Sequence, residues 1–306
     1  MNTKKNNRDF HLSLLINRFF RRYFRRWMSD ETWIKLYFRY NMGYKLDLKK
    51  PKTYSEKLQW LKLYDQKSEY SKMVDKSTVK EYVAKILSDD FIIPTLGVWD
   101  RPEDIEWDQL PDQFVLKCTH DSGSVCICKD KTIFNRENAI NKLRSGLNVD
   151  YYRTNLEWPY KNVKPRVMAE KYIAPESGTN DLPDYKFFCF NGIPHYCQVI
   201  SGRQVDMRVD FFDKDWNHQP FHEPRDTQFA DVMPEKPRKF DVMWDAAMKL
   251  SHDIPFSRID FYEVGDKVLF GEITFFPTGG RGGFSPEIYD EILGKLIHLP
   301  SKKIIG

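Results

Sequence analysis

The sequence predicts an α+β fold: a helical N-terminal region followed by a strand-rich body that closes on an acidic hairpin. Three observations carry this. Apolar residues recur at helical spacing through the first part of the chain. From Phe114 onward they gather in short runs rich in β-branched and aromatic residues, separated by Gly, Asn, Asp and Pro. Near the end, residues 257–262 and 272–277 read as two strands in which charged and apolar side chains alternate, and alternation by two puts each set on its own face.

Taken in order, residues 10–28 (FHLSLLINRFFRRYFRRWM) set Arg18, Arg21, Arg22, Arg25 and Arg26 among Leu, Phe, Tyr and Trp at helical spacing. A basic amphipathic helix of this kind lies on an anionic membrane surface, docks on an acidic partner, or packs its aromatic stripe on its own domain with the arginines in water. Residues 31–64 continue as helix, broken at Lys50-Pro51 and restarted behind Thr53 or Ser55 as cap. A boundary is drawn there, with 1–64 as a basic and aromatic helical region and 65–306 as the main body. Residues 75–87 form a helix with Val79, Tyr82, Val83 and Ile86 on one stripe. Residues 92–99 are extended.

Residues 114–118 form an apolar strand carrying Lys117. A loop through His120, Ser122, Gly123 and Ser124 follows, and 125–128 return as strand. Such a flap can fold its backbone N–H groups over phosphates with Lys117 at its base as a point charge; the plain alternative is an ordinary hairpin. Residues 166–173 make the next strand. Residues 184–190 and 193–200 form a hairpin around Asn191-Gly192, a strong type I′ turn signal. A strand over 208–212 and a helix over 241–251 precede the acidic hairpin.

Composition sets the class. With 41% hydrophobic and 15% aromatic residues, 306 residues suffice for a packed core. No apolar run reaches the roughly 18 residues that span a bilayer. Ser13 interrupts the N-terminal apolar stretch and Asn17 and Arg18 end it, so the expected location is cytoplasmic, with residues 10–28 as a peripheral contact at the inner face of the membrane. A net charge of +4 is too mild to argue for nucleic acid. The five cysteines, Cys118, Cys126, Cys128, Cys189 and Cys197, form no CxxC pair and sit in apolar runs, as reduced core residues do.

In the closing hairpin Arg258 and Asp260 share one face while Ile259 and Phe261 take the other, and Glu272 and Thr274 likewise share theirs. The turn falls in 263–267, which holds Gly265 and Asp266. Pairing the strands sets Asp260 beside Glu272 with a cation at Arg258. Two carboxylates that close repel unless a metal joins them, and Mg2+ is the usual hard cation when a nucleotide supplies the remaining oxygens. The competing reading is a surface ion pair. Against it, Phe256, Ile259, Phe261, Leu269, Phe270, Ile273, Phe275 and Phe276 are apolar enough to bury the hairpin.

In order, these pieces are a strand lysine with a small-residue flap, a strand ending Glu170-Lys171-Tyr172-Ile173, a second strand lysine at Lys186, then Arg258-x-Asp260 and Glu272-x-Thr274. The order resembles the ATP-grasp superfamily. Residues 53–58, 114–124 and 271–277 resemble more narrowly its TupA-like group of capsule, teichuronopeptide and related surface-polysaccharide clusters, over about residues 45–300. The resemblance implies two α+β lobes closing on ATP, with the flap and hinge at about 110–175 and a metal and substrate lobe at about 180–300. It implies that Lys117 and Lys186 contact ATP phosphates, with Ser122, Gly123 and Ser124 as flap; that Glu170 accepts from the adenine amino group; and that the Lys171 carbonyl and Ile173 N–H read the ring edge. Asp260 and Glu272 are implied to hold Mg2+, with Arg258 and Lys186 serving catalysis. Thr274 stands where the superfamily usually has Asn, and a hydroxyl is a weaker neutral metal ligand than an amide carbonyl.

The implied activity is an ATP-dependent carboxylate–amine ligation. An acyl phosphate forms and an amine converts it to an amide with ADP and phosphate, joining an amino acid to a uronic-acid-bearing sugar or glycan. Residues 279–283 and Arg203 or Arg208 are candidates to grip the carboxylate. Two rivals remain: a glycosyltransferase, for which Asp213-Lys214-Asp215 supplies an Asp-x-Asp form, and an ATP-binding assembly protein without turnover, which Thr274 keeps open.

Overall fold

The computed structural model describes residues 27–174, 182, 184–202 and 207–301. Residues 10–26 of the basic segment, and Arg203, lie outside the described residues. The chain divides into two compact units, Met1–Asp47 and Leu48–Gly306. In the first, α1 (Asp30–Met42) starts behind Ser29, whose hydroxyl accepts from the Thr32 N–H, and stops at Gly43 in the left-handed region (φ 81°). It buries Trp33, Ile34 and Phe38.

The second unit opens with α2 (Tyr54–Tyr64), which the boundary drawn at residue 64 had grouped with the N-terminal region. A full capping box fixes its start: Thr53 Oγ1 accepts from the Glu56 N–H at 3.1 Å and Glu56 Oε2 from the Thr53 N–H at 3.2 Å. Two helices follow, α3 (Glu69–Val74) and α4 (Val79–Ile86). The sequence suggested one helix from residue 75; instead Asp75 Oδ1 accepts from the Ser77 N–H at 2.8 Å and its hydroxyl at 2.7 Å, a local turn that competes with the helix and delays it to Val79.

The strands form two antiparallel sheets. The smaller has the order β1 (Thr95–Trp99), β4 (Val167–Lys171), β2 (Phe114–Cys118), β3 (Cys126–Cys128). Helix α5 (Arg136–Leu147) covers one face, burying Ala139 and Leu143 against Phe114, Leu116, Cys118, Val167 and Ala169. Lys117 and Glu170 therefore turn to the opposite face, since strand residues alternate. A short helix, α6 (Tyr151–Asn155), lies between α5 and β4 in the chain.

The larger sheet has the order β7 (Arg208–Phe212), β6 (Ile193–Ser201), β5 (Asp184–Phe190), β8 (Phe256–Val264), β9 (Lys267–Thr274). Asn191 and Gly192 both take positive φ (49° and 82°), as a type I′ turn requires. Helix α7 (Phe240–Leu250) covers the apolar face, with Phe187 packing on Phe240 and Trp244 at ring distances of 5.7 and 6.0 Å. On β9 the register slips: Phe261 faces Phe270 but Asp260 faces Glu272, leaving Gly271 as the extra residue of a bulge. Without the slip Glu272 would stand opposite Ile259 on the apolar face; with it, Phe270 stays in the core and Glu272 joins Asp260.

The C-terminal helix α8 (Ile288–Leu296) packs on the start of α2. A Cβ at Gly294 would lie 2.3 Å from the Lys52 carbonyl oxygen, so only glycine allows the approach. All five cysteines are free thiols. Among the described residues no helix is long and apolar enough to cross a membrane.

Candidate functional site

Strand register assembles a row of polar side chains across the larger sheet, on the face away from α7. Gln198 stands opposite Lys186, Lys186 opposite Asp260, and Asp260 opposite Glu272; directly paired residues share a face. Two residues along, Arg258 stands opposite Thr274. The Arg258 guanidinium holds Asp260 with two bonds of 2.7 Å and donates to Glu272 at 2.8 Å and to Thr274 at 3.2 Å. Lys186 pairs with Asp260 and, at 2.7 Å, with Asp184.

Asp260 is 2% exposed, whereas the Glu272 side chain is 40% exposed and is the carboxylate of the row that opens outward. Burial pushes the Asp260 carboxyl up against the pull of Arg258 and Lys186, and Asp184 and Glu272 add to that. At Glu272 burial also pushes up, but Arg258, Lys186, Lys76 and the Thr274 hydroxyl outweigh it and hold the group at about 2. Three carboxylates, Asp184, Asp260 and Glu272, are bonded by two basic side chains, Arg258 and Lys186. Asp260 and Glu272 are hard oxygen donors of the kind a divalent cation takes when phosphate oxygens supply its other ligands; among the described residues no three or more His, Cys, Asp or Glu side chains gather as a metal site. Thr274 Oγ1 donates to Glu272 Oε1 at 3.1 Å, so within the chain its hydroxyl orients Glu272.

On the smaller sheet Glu170, 5% exposed, lies between Lys117 at 2.5 Å and Lys80 of α4 at 2.7 Å. Burial pushes its carboxyl up, and the two ammonium groups more than reverse that, keeping it below its usual range. Lys171, with an exposed side chain, ends β4, and Ile173 follows half-buried. In the flap loop Ser122 and Gly123 are exposed. Ser124 is 3% exposed, and its hydroxyl bonds both Asp121 carboxylate oxygens at 2.6 Å and accepts from the Cys118 N–H at 3.3 Å. Ser124 thus shapes the loop from inside, leaving Ser122 and Gly123 as its open rim.

Lys76 and Lys80 were not marked in the sequence, although they stand four apart beside the apolar stripe of the same segment. Lys76 donates to the Asp121 carbonyl; burial lowers its ammonium's affinity for the proton, and Glu272 and Glu170 both act to raise it. Lys80 also bonds the Ile93 carbonyl at 2.6 Å.

The loop after β9 is held from α2. The Lys62 ammonium, on a residue 2% exposed, donates to the carbonyls of Gly279 at 2.7 Å and Asn155 at 3.0 Å, and Gln59 donates to Gly280 at 2.8 Å. Arg281 reaches Asn155 Oδ1 at 2.9 Å. Arg208, the other candidate grip, bonds Gln228 at 2.7 Å beside the Phe229 carbonyl. The Asp213 carboxylate is taken up by its own turn, accepting from the N–H groups of Asp215 at 3.0 Å and Asn217 at 2.9 Å.

Comparison with known proteins returns ATP-grasp ligases among solved structures. D-alanine–D-alanine ligase from Bacillus anthracis, complexed with ATP, aligns at 12% identity over 74% of this chain and 68% of its own, with a TM-score of 0.39. D-cycloserine synthetase DcsG aligns at 14% identity over 67% and 62%, also with a TM-score of 0.39. The ATP-grasp ligase PsnB, complexed with minimal precursor, Mg and ADP, aligns at 10% identity over 72% and 57%, with a TM-score of 0.37. No curated protein matches. The family model described as TupA-like ATPgrasp matches residues 56–298, which include most of α2, both sheets and every residue of the polar row, and the chain belongs to that family.

Proposed function

We propose that the chain is an ATP-dependent, ADP-forming carboxylate–amine ligase that joins an amino acid to a uronic-acid-bearing sugar or glycan in surface-polysaccharide (capsule) biosynthesis. The observation that carries the reading is the row Lys186–Asp260–Glu272 with Arg258 beside it, on one sheet face of an ATP-grasp family member. Asp260 and Glu272 would hold Mg2+, with Thr274 orienting Glu272, and the cation would supply charge neutralisation at the phosphate oxygens. Lys117 and Lys186 meet the phosphates, since a transferring phosphoryl group needs cations that leave the line of attack open. Glu170 reads the adenine amino group, the Lys171 carbonyl and Ile173 N–H read the ring edge, and the rim at Ser122 and Gly123 closes over the phosphates. Arg258 turns its planar guanidinium to the oxygens of the forming acyl phosphate.

The loop 279–283, with Arg281, receives the carboxylate. Because an acyl phosphate hydrolyses readily, the flap closes before chemistry. The glycosyltransferase reading loses its support at Asp213, whose carboxylate caps its own turn. The test is a product assay. Ligation releases ADP and phosphate in equal amounts, and only with both carboxylate and amine present; consumption of a UDP-sugar without ATP would replace the reading with glycosyl transfer. Residues 10–28 attach the protein to an anionic membrane surface in this scheme. Cosedimentation with phosphatidylserine vesicles then falls steeply with salt, and equal recovery on neutral vesicles removes that attachment.

A further inference from the structure

A carboxylate that no motif marked stands over the same sheet face. Glu223 is 2% exposed. Its backbone carbonyl accepts from Gln198 Nε2 at 2.9 Å, and Gln198 is the neighbour of Lys186 in the polar row. Phe221, two residues earlier, packs on Phe211 at 4.8 Å, and Phe211 stands opposite Gln198 on that face. The segment is thus laid on the functional side of the sheet, away from α7.

The Glu223 carboxylate meets the loop after β9. Oε1 accepts from Thr278 Oγ1 at 2.5 Å, and a Cβ at Gly282 would lie 2.1 Å from the same oxygen. Gly282 is therefore glycine because the loop backbone presses on this carboxylate. Oε2 accepts no hydrogen bond from a described residue. The charged groups that act on it come from each packed element: Arg258 of β8, which favours its ionised form, and Asp290 of α8, which opposes it. The Tyr54 phenol of α2 is pushed well up by burial and stays neutral at working pH.

Resting on the ligase reading above, we propose that Glu223 accepts the proton of the attacking amine. In this step Glu223 takes one proton from the ammonium and frees the nitrogen lone pair, which forms the C–N bond as the C–O bond to phosphate breaks; that bond's electron pair and the remaining N–H proton leave with the phosphate. Burial pushes this carboxyl up, the Thr278 hydroxyl and Arg258 pull it back, and it comes to about 7, where a base is strong enough to take a proton and still ionised enough to act. Its place between the polar row and the carboxylate-gripping loop puts it where the nucleophile must enter.

The experiment compares wild type with Glu223→Gln, using Mg-ATP, D-glucuronate and D-galacturonate free and as UDP conjugates, and either L-alanine and L-glutamate or hydroxylamine as nucleophile. Hydroxylamine is largely unprotonated at neutral pH and attacks without that first deprotonation, whereas an amino-acid ammonium must give up a proton before it can attack. The variant keeps hydroxamate formation within a few-fold of wild type but forms amide about 100-fold more slowly. Thr278→Val, which removes the donor that favours the ionised form, moves the rising limb of the wild-type pH profile to higher pH. Equal loss of hydroxamate and amide would make Glu223 a structural residue, and an unchanged amide rate would remove its role; either overturns the proposal. Wild type that makes neither product refutes the ligase reading itself. One arm needs no substrate. A carboxyl raised in the fold withdraws stability as pH rises past its unfolded value, so the melting temperature of Glu223→Gln gains on wild type between pH 4 and pH 8. A constant difference over that range contradicts a buried, raised carboxylate.

Discussion

At the scale of single residues, the carboxyls of Glu272 and Glu223 are pushed in opposite directions. Glu272, held at about 2 by its cations, stays ionised at every pH at which the protein functions; Glu223, at about 7, titrates in the middle of that range. On the ligase reading, the pH dependence of ligation is expected to follow Glu223, with Glu272 as fixed charge. Glu272→Gln keeps acceptors for Arg258 and Thr274, so the fold survives with little change in melting temperature. It removes the charge that a metal needs, and turnover falls by about 100-fold or more while nucleotide affinity stays within a few-fold. ADP release and nucleotide titration on the variant check this, and undiminished turnover would remove Glu272 from the metal site. Much of this was legible in the sequence, because Arg258, Asp260, Glu272 and Thr274 are close along the chain and alternate on strands. Glu223 was not, since its meaning comes from a loop that meets residues 55 positions away.

At the scale of elements, the bulge at Gly271 and the contacts of α2 do the positioning. The sequence showed two alternating strands but not the slip, for periodicity cannot distinguish Phe270 and Glu272 on one face from the same pair split across two. Helix α2 explains why residues 53–62 form so distinct a string: Thr53 and Glu56 cap, Ser55 binds Asp290, Lys57 donates to the last carbonyls of α8, and Gln59 and Lys62 hold the loop that carries Arg281. Helices α5 and α8 escaped the sequence reading; α5 buries only Ala139, Leu143 and Gly146, too few apolar positions to make a stripe. The close crossing at Gly294 gives a direct check. Gly294→Ala forces a methyl against the Lys52 backbone and lowers stability by about 1–3 kcal/mol in denaturant unfolding; an unchanged midpoint would mean that α2 and α8 are free to separate.

For the whole molecule, the larger sheet supplies the polar row and the smaller sheet the pair Lys117–Glu170, and the charges of Glu272 and Glu170 both act on Lys76. The α+β class and the order of the strands were readable because each strand carries its own signal. The lysines of the segment before β1 were hidden, because a lysine on a helix face reads as solvated until the sheet opposite it is known. The proposal to be tested is that this face activates a carboxylate with ATP. The direct measurement is to incubate the purified protein with Mg-ATP, hexuronic acids free and as UDP conjugates, and hydroxylamine, and to quantify ADP and hydroxamate together. The account predicts equal amounts of the two, dependent on the uronic acid and abolished in Glu272→Gln. ATP left intact with no hydroxamate, while a UDP-sugar is consumed, would contradict it.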